Sequence, residues 1–439
     1  MRRDAREILN AAIDAVKPVA LIQNAVSVNG NDLVVGTRQF KIDALDNIYV
    51  VAAGKAAAEM AAAFEDIAGT LITEGLAITK YQHGLPLKRI QCIEAGHPVP
   101  DKQGIIAAQL ILDIAGKAKE NDLFVLLLSG GASALIADLP EGIELEDMVR
   151  FSQQLLQSGA NIHELNTIRK HLSVLKGGQL SREVWPASLV CLAISDVTGD
   201  ITGSIGSGPT IEDESTFAEA WEIIKKYGLG NTIPDNIRDY LQKGKEGFIK
   251  ETPKPGSPVF SRTHFNLIGN NSKALLAAAS AAGQLNYHTI ILDNQFAGNA
   301  EEEAITLFNT AKDFNGPTPA CIIAGGETTV TVKGTGKVGR NQHMALTVLA
   351  EWIKSKKELP HLLFLSSATD GTDGPTDAAG AMVDEEFVQE VLGKGINVAA
   401  FQVNNDSYHF FKNTQMHIVT GPTQTNVMDI VIMLIVSSE

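Results

Sequence analysis

Residues 123–135 read LFVLLLSGGASAL, and this stretch decides the fold. Its opening apolar run is too short for a buried helix and ends in a glycine turn, the pattern of a strand covered on both faces. Two other stretches repeat it: residues 48–55 read IYVVAAGK and residues 188–196 read SLVCLAISD. Helix-period segments lie between them, over 56–68, 101–114, 145–156 and 163–174, with a short strand at 76–79. Fully apolar strands alternating with helices predict a parallel sheet, whose ligands sit at the carboxyl ends of the strands. That rule selects three loops: Gly54 with Lys55, then Ser129, Gly130 and Gly131, then Ser195 with Asp196.

Farther along, 243–262 carries Pro253, Pro255, Gly256 and Pro258 with few large apolar residues, and reads as a linker or edge segment. A second β/α pattern follows, with strands at 265–268, 289–292 and 321–324 and helices at 272–282 and 299–312. Residues 328–333 (TTVTVK) alternate polar and apolar, which predicts a half-exposed antiparallel strand and so a mixed sheet. One core rarely grows past about 250–300 residues, and the chain has 439. The expectation is an α/β fold of two α/β domains. A Rossmann-like parallel-sheet domain would span 1–245 and a mixed-sheet domain 263–439.

Hydrophobic residues make up 44% and charged residues 20% of the chain, which excludes disorder for most of its length. The net charge of −15 argues against a nucleic-acid partner, whose affinity rests on neutralising phosphates. A local cationic cleft can still hold a small anion. Cys92, Cys191 and Cys321 form no metal-finger spacing, read as buried small hydrophobes, and suit a reducing compartment. The N-terminus MRRDAREILNAAIDAV reads as a helix rather than a signal peptide. The most apolar run, VMDIVIMLIV from Val427, is too short to span a bilayer. A cytoplasmic protein with no membrane partner is expected.

Gly334, Gly336 and Gly339 form a literal GxGxxG. The dinucleotide fingerprint needs a buried strand before it and an acid at the end of the next strand. Here the preceding segment is half polar, and the acid at that distance, Glu358, precedes the next strand. Lys337 and Arg340 beside the helix NQHMALTVLAEW favour an anion-binding loop instead. Lys55 has no Walker context, but an ammonium beside a helix N-terminus is unfavourable unless an anion shares the site. The glycines at 130 and 131 let the backbone approach a ligand and aim amides at a phosphate. Asp196, at a strand end in a loop rich in glycine and hydroxyls, can accept a proton or hold a metal. Glu327 after Gly325 and Gly326, with Asp370 and Asp373 in TDGTDGPTDAAG, are hard carboxylates suited to Mg²⁺. Ala381 at the twelfth position excludes an EF-hand. Asn166, Arg169 and Ser173 share one helix face, which spacing alone reads as exposed.

Together these segments resemble the class II glycerate kinase family, whose second part is called the MOFRL domain. The matching stretches are VVAAGKAAAEM, AGHPVPD, LLSGGASAL, ELNTIRKHLSVLKGGQL, ISDVTGD with GSGPT, AGGETTVTVKGTGKVGRNQHMAL and SSATDGTDGPTDAAGAMVD. They run in order from about residue 50 to about 385. The MOFRL-like region would cover about 320–425. The resemblance implies an active site between two α/β domains and ATP-dependent, Mg²⁺-assisted phosphorylation of D-glycerate to 2-phosphoglycerate. It maps the family's lysine and arginine onto Lys55 and Arg340, here expected to be catalytic together with Asp196. The expected substrate and nucleotide contacts are Gly54, Ser129, Gly130, Gly131, Ser133, Asn166, Arg169, Gly325, Gly326, Gly334, Gly336, Lys337 and Gly339. Glu327, Asp370 and Asp373 are the expected metal ligands. Removing either cation is expected to cost activity without unfolding the chain. The alternatives are an NAD(P)H-dependent hydroxypyruvate reductase, a label the family has carried, and a non-catalytic nucleotide or sugar-acid binder.

Overall fold

The structure, a computed structural model, describes residues 1–293, 295–355 and 361–437. The chain divides into two compact units, Leu21–Ile268 and Met1–Ala20 with Gly269–Glu439.

The first unit is built on a six-stranded sheet in the order Ile90–Ala95, Glu74–Lys80, Ile48–Ala53, Leu123–Leu128, Ser188–Ile194, Thr263–Gly269. The pairings from Ile90–Ala95 through Ser188–Ile194 are all parallel. Every residue of Ile48–Ala53, Leu123–Leu128 and Ser188–Ile194 is buried, so these strands lie between covering helices, as their unbroken apolar runs predict. The helices Ala57–Ala68 and Lys102–Ala115 form where expected, the second opened by Asp101 accepting from the Gln103 and Gly104 N–H groups. A small antiparallel sheet, Val26–Asn29, Asp32–Val35 and Arg38–Lys41, precedes them.

Two boundary expectations are corrected. Segment 265–268, expected to open the second domain, belongs to the edge strand of the first sheet, beside Ser188–Ile194. Residues 243–262 therefore lie inside the first unit, where Thr252 Oγ1 donates to the buried Asp213. The N-terminal helix Arg2–Asp14, grouped by sequence with the first half, packs on the helix Asn271–Gln284 of the other unit's long segment. Its apolar face of Ala5, Ile8, Leu9, Ala12 and Ile13 is buried there, and Arg2 forks onto Asp384. An amphipathic pattern marks which face is buried but not against what.

The second unit holds a mixed sheet, as expected. Its order is His288–Ile291, Ala320–Thr329, Asp429–Val436, His361–Ala368, Gly380–Asp384, His417–Ile418, with Phe296–Asn299 also paired to Ala320–Thr329. The apolar run near the C-terminus is a central strand, antiparallel to both neighbours. The antiparallel strand expected over 328–333 does not form. Thr328 and Thr329 end the buried strand, pair in parallel with Phe296–Asn299, and 330–339 is loop. Cys191 and Cys321 are buried, whereas Cys92 is only partly so, and all three are free thiols. Among the described residues, no helix is long and apolar enough to cross a membrane.

Candidate active site

In the first unit the three loops selected by the sheet rule meet. Ala53 and Leu128 are register partners at the ends of neighbouring strands. The loops after them lock together through Ser129 N to Ala53 O at 2.9 Å, Lys55 N to Gly130 O at 2.9 Å and Ala56 N to Ser129 Oγ at 3.1 Å. Gly54 sits at φ 128°, and a Cβ there would lie 2.2 Å from Ser129 Oγ, so only glycine fits. A Cβ on Gly130 would lie 1.8 Å from Asp196 Oδ2, which puts the Asp196 carboxylate against the loop backbone. Gly131, at φ 85°, faces His97 Nε2 and the Lys55 side chain.

The chemistry of this cluster is cationic and open. Among the described residues, the N–H groups of Gly130 and Gly131 have no acceptor. Lys55 has no ion pair or hydrogen-bonded side chain there either. Burial, with the Lys55 and Lys80 charges beside it, pushes the His97 imidazole down to about 4, so it is neutral at pH 7. Unspent amides, an unpaired ammonium and a nearby carboxylate are what an anion and a proton-releasing hydroxyl need.

A polar relay adjoins the cluster. Ser133 Oγ lies 3.0 Å from Ser207 Oγ, Ser207 donates to Asn166 Oδ1 at 3.3 Å, and Asn166 Nδ2 donates to Ser204 Oγ at 3.2 Å. The exposed-face reading is thereby corrected: Asn166 is 5% and Ser173 3% exposed, because the long loop 201–210 and Asp138 cover them. Arg169, on the same helix Ile162–His171, is half-buried and has no hydrogen bond or ion pair among the described residues. Burial alone lowers its guanidinium from the ordinary value.

The second unit treats its candidates differently. Four consecutive N–H groups of the GxGxxG loop are spent inside the protein. Gly334 N donates to Asn405 Oδ1 at 2.9 Å, Thr335 N to Asn404 Oδ1 at 3.1 Å, Gly336 N to Asn404 O at 2.9 Å and Lys337 N to Asp406 Oδ1 at 3.0 Å. A Cβ on Gly334 would lie 2.2 Å from Asn404 O and one on Gly339 2.2 Å from Asp373 Oδ2. These glycines serve close packing, and the anion-binding expectation for the loop is corrected. The anion at the N-terminus of the helix Arg340–Lys354 is Asp373 itself, which accepts from Asn341 N at 3.0 Å and Gln342 N at 2.8 Å. Lys337 lies over the Tyr408 ring at 4.4 Å. Gly325 and Gly326 likewise admit neighbours, Asn271 Oδ1 and Phe296 O, at distances no side chain allows. Glu358 lies outside the described residues.

Arg340 is corrected from a free loop cation to the centre of an ion cluster. Its Nε and Nη2 fork onto Asp429 at 2.6 and 2.9 Å, and Nη1 reaches Glu327. Asp429 is fully buried, and burial pushes its carboxyl up to about 7 against the pull of Arg340. Burial would lower the Arg340 guanidinium, and the bonds to Asp429 with the charge of Glu327 more than reverse it. Asp370 accepts from Thr372 N at 2.9 Å. Glu327, Asp370 and Asp373 therefore do not gather into one ligand set: among the described residues no three His, Cys, Asp or Glu could jointly hold a metal.

Sequence reading missed His97, Ser204 and Ser207. His97 follows the strand Ile90–Ala95, whose IQCIEA is neither an unbroken apolar run nor a strict alternation; had that strand been recognised, the carboxyl-end rule would have found it.

Comparison with known proteins identifies the family. A family described as a domain of unknown function, DUF4147, matches residues 4–242, and the MOFRL family matches residues 320–429. A glycerate 2-kinase of Pyrococcus horikoshii is 39% identical over 99% of this chain and 98% of its own. A putative hydroxypyruvate reductase of Agrobacterium vitis is 39% identical over 88% of this chain and 86% of its own. The crystal structure of a glycerate kinase from Thermotoga maritima superposes with a TM-score of 0.86 at 36% identity, covering 99% of both chains. The chain belongs to the class II glycerate kinase family, with the MOFRL family forming its second part.

Proposed function

We propose that this protein transfers the γ-phosphoryl group of ATP to the 2-hydroxyl of D-glycerate, giving 2-phosphoglycerate and ADP. The observation that carries the reading is the open amide loop of Gly130 and Gly131, flanked by Lys55 without a counter-charge and by Asp196. Phosphoryl transfer asks the protein for positioning and charge stabilisation more than covalent chemistry. In this reading the glycine-loop amides hold phosphate oxygens and Lys55 stabilises charge on the moving phosphoryl. As the glycerate 2-oxygen bonds to phosphorus and the bond to the ADP oxygen breaks, the hydroxyl proton passes to Asp196. Arg340, held in one orientation by Asp429, is the other proposed catalytic cation.

Mg²⁺ would neutralise charge on the nucleotide phosphates. Such an ion needs only one or two protein carboxylates beside phosphates and water, so the absence of a three-carboxylate cluster among the described residues is compatible with it. Glu327 and Asp370 remain the proposed ligands, while the Asp373 oxygens are taken by the helix amides. The spent GxGxxG amides weigh against the reductase reading. The expected compartment is the cytoplasm.

Incubation with ATP, Mg²⁺ and D-glycerate, followed by phosphorus NMR, should show ADP and a phosphate ester on carbon 2. NADH oxidation by hydroxypyruvate with no ADP formed would replace this reading with the reductase. Tight binding without turnover would replace it with a sensor.

A further inference from the structure

The geometry points to a nucleobase subsite in the first unit: the pocket between the helices Leu145–Gln157 and Ile162–His171 takes the purine ring of the nucleotide, with Arg169 against it. This rests on the kinase reading and deepens it.

The pocket has a volume of about 80 Å³, room for about five waters at roughly 15 Å³ each, on the scale of one small flat ring system. Most of its wall is apolar, from residues such as Leu139, Leu145, Met148, Phe151, Leu155 and Leu172. Two further lining residues tie it to the phosphate loop. Ser133 follows Gly130 and Gly131 by a few positions, and Pro100 belongs to the segment that carries His97. A ligand with phosphates on the open amides therefore has this pocket within reach of its other end.

The chemistry selects which end. Glycerate carries oxygen on every carbon, and an apolar wall would strip water from those groups without replacing the hydrogen bonds. A purine has two apolar faces and acceptor nitrogens only at its edge. Two cationic side chains line the pocket. Lys176 is neutralised by Asp138, which also accepts from Ser173 Oγ and Leu175 N, so that pair is internally satisfied. Arg169 has no such partner among the described residues. A guanidinium is planar and weakly hydrated, so it stacks on an aromatic face and donates in plane to ring nitrogens. The half-buried, unpaired Arg169 is explained by a ligand of this kind.

The test uses the full chain and two probes, ADP and inorganic tripolyphosphate, titrated by calorimetry. Met148→Trp fills the pocket, with Leu145→Phe as the substitute should the tryptophan variant fail to fold. Filling should weaken ADP by at least about tenfold and leave tripolyphosphate unchanged. Arg169→Gln should show the same split. An equal loss of both probes in Arg169→Gln would make Arg169 a phosphate ligand and overturn the assignment. ADP affinity unchanged by filling would overturn it too, while wild-type ATP turnover leaves the kinase reading standing. Wild-type protein that neither binds ADP nor turns over ATP would sink both.

Discussion

Replacing Arg340 by alanine should cost stability as well as activity. The change removes both bonds to Asp429, a carboxylate with 0% exposure, and leaves Glu327 without its cation. Breaking one side of a buried ion pair costs about 3–5 kcal/mol. The affected unit has about 190 residues, and at about 2–4 °C per kcal/mol for that size its melting point should fall by about 6–20 °C. The loss should grow with pH. With Arg340 present, burial already pushes the Asp429 carboxyl up to about 7, and removing the cation removes the pull that opposes this rise. Wild-type Asp429 releases its proton near 7, whereas the folded variant holds it more tightly, so the loss relative to wild type widens as pH rises through about 7 and beyond. Calorimetric melting at pH 5.5 and 8 reads this directly. Arg340→Met with Asp429→Leu should recover much of the loss, because both charges leave together. If Arg340→Ala melts within about 2 °C of wild type at pH 8, the ion pair is not holding the unit and the reasoning fails. Kinetic loss in the single variant is interpretable only beside these melting data.

Lys55→Ala should behave in the opposite way. It should lower kcat/KM by at least about 100-fold, about 2.7 kcal/mol of transition-state stabilisation, with melting unchanged because no ion pair is lost. Asp373→Ala should lower stability by about 1–2 kcal/mol through loss of the acceptors for the Asn341 and Gln342 amides, without moving the Mg²⁺ concentration for half-maximal rate; a shifted Mg²⁺ requirement would return it to the metal ligands. Asp196→Asn should lower kcat with the Mg²⁺ profile unchanged if it takes the proton, and a raised Mg²⁺ requirement would make it a ligand instead. Followed by proton NMR, His97 should stay neutral through pH 6 and titrate near about 4. Its neutral form favours the folded state above its unfolded value near 6.5, and that contribution is lost as pH falls from there towards about 4. A midpoint at or above 6 would show that His97 is not buried beside Lys55.

The three central strands of the first sheet were legible because each is an unbroken apolar run. Burial on both faces dictates that composition wherever the strand ends up. Their glycine-bearing carboxyl ends followed from the same rule, and so did the grouping of Gly54, Lys55, Ser129, Gly130, Gly131 and Asp196. Capped helix starts at Asp101 and Asn299 were local too, since a cap bonds amides only two or three residues away. The second unit's site residues depended on partners far along the chain. Whether the amides from Gly334 to Lys337 are open or spent rests on Asn404, Asn405 and Asp406, about seventy residues on. Whether Arg340 is free or paired rests on Asp429, 89 positions away. The N-terminal helix displays its apolar face in sequence, but only packing brings that face to Asn271–Gln284. Periodicity and composition record how much of a segment is buried. The identity of what buries it, and so whether a polar group meets a ligand or its own protein, is set by contacts between segments that sequence proximity does not encode.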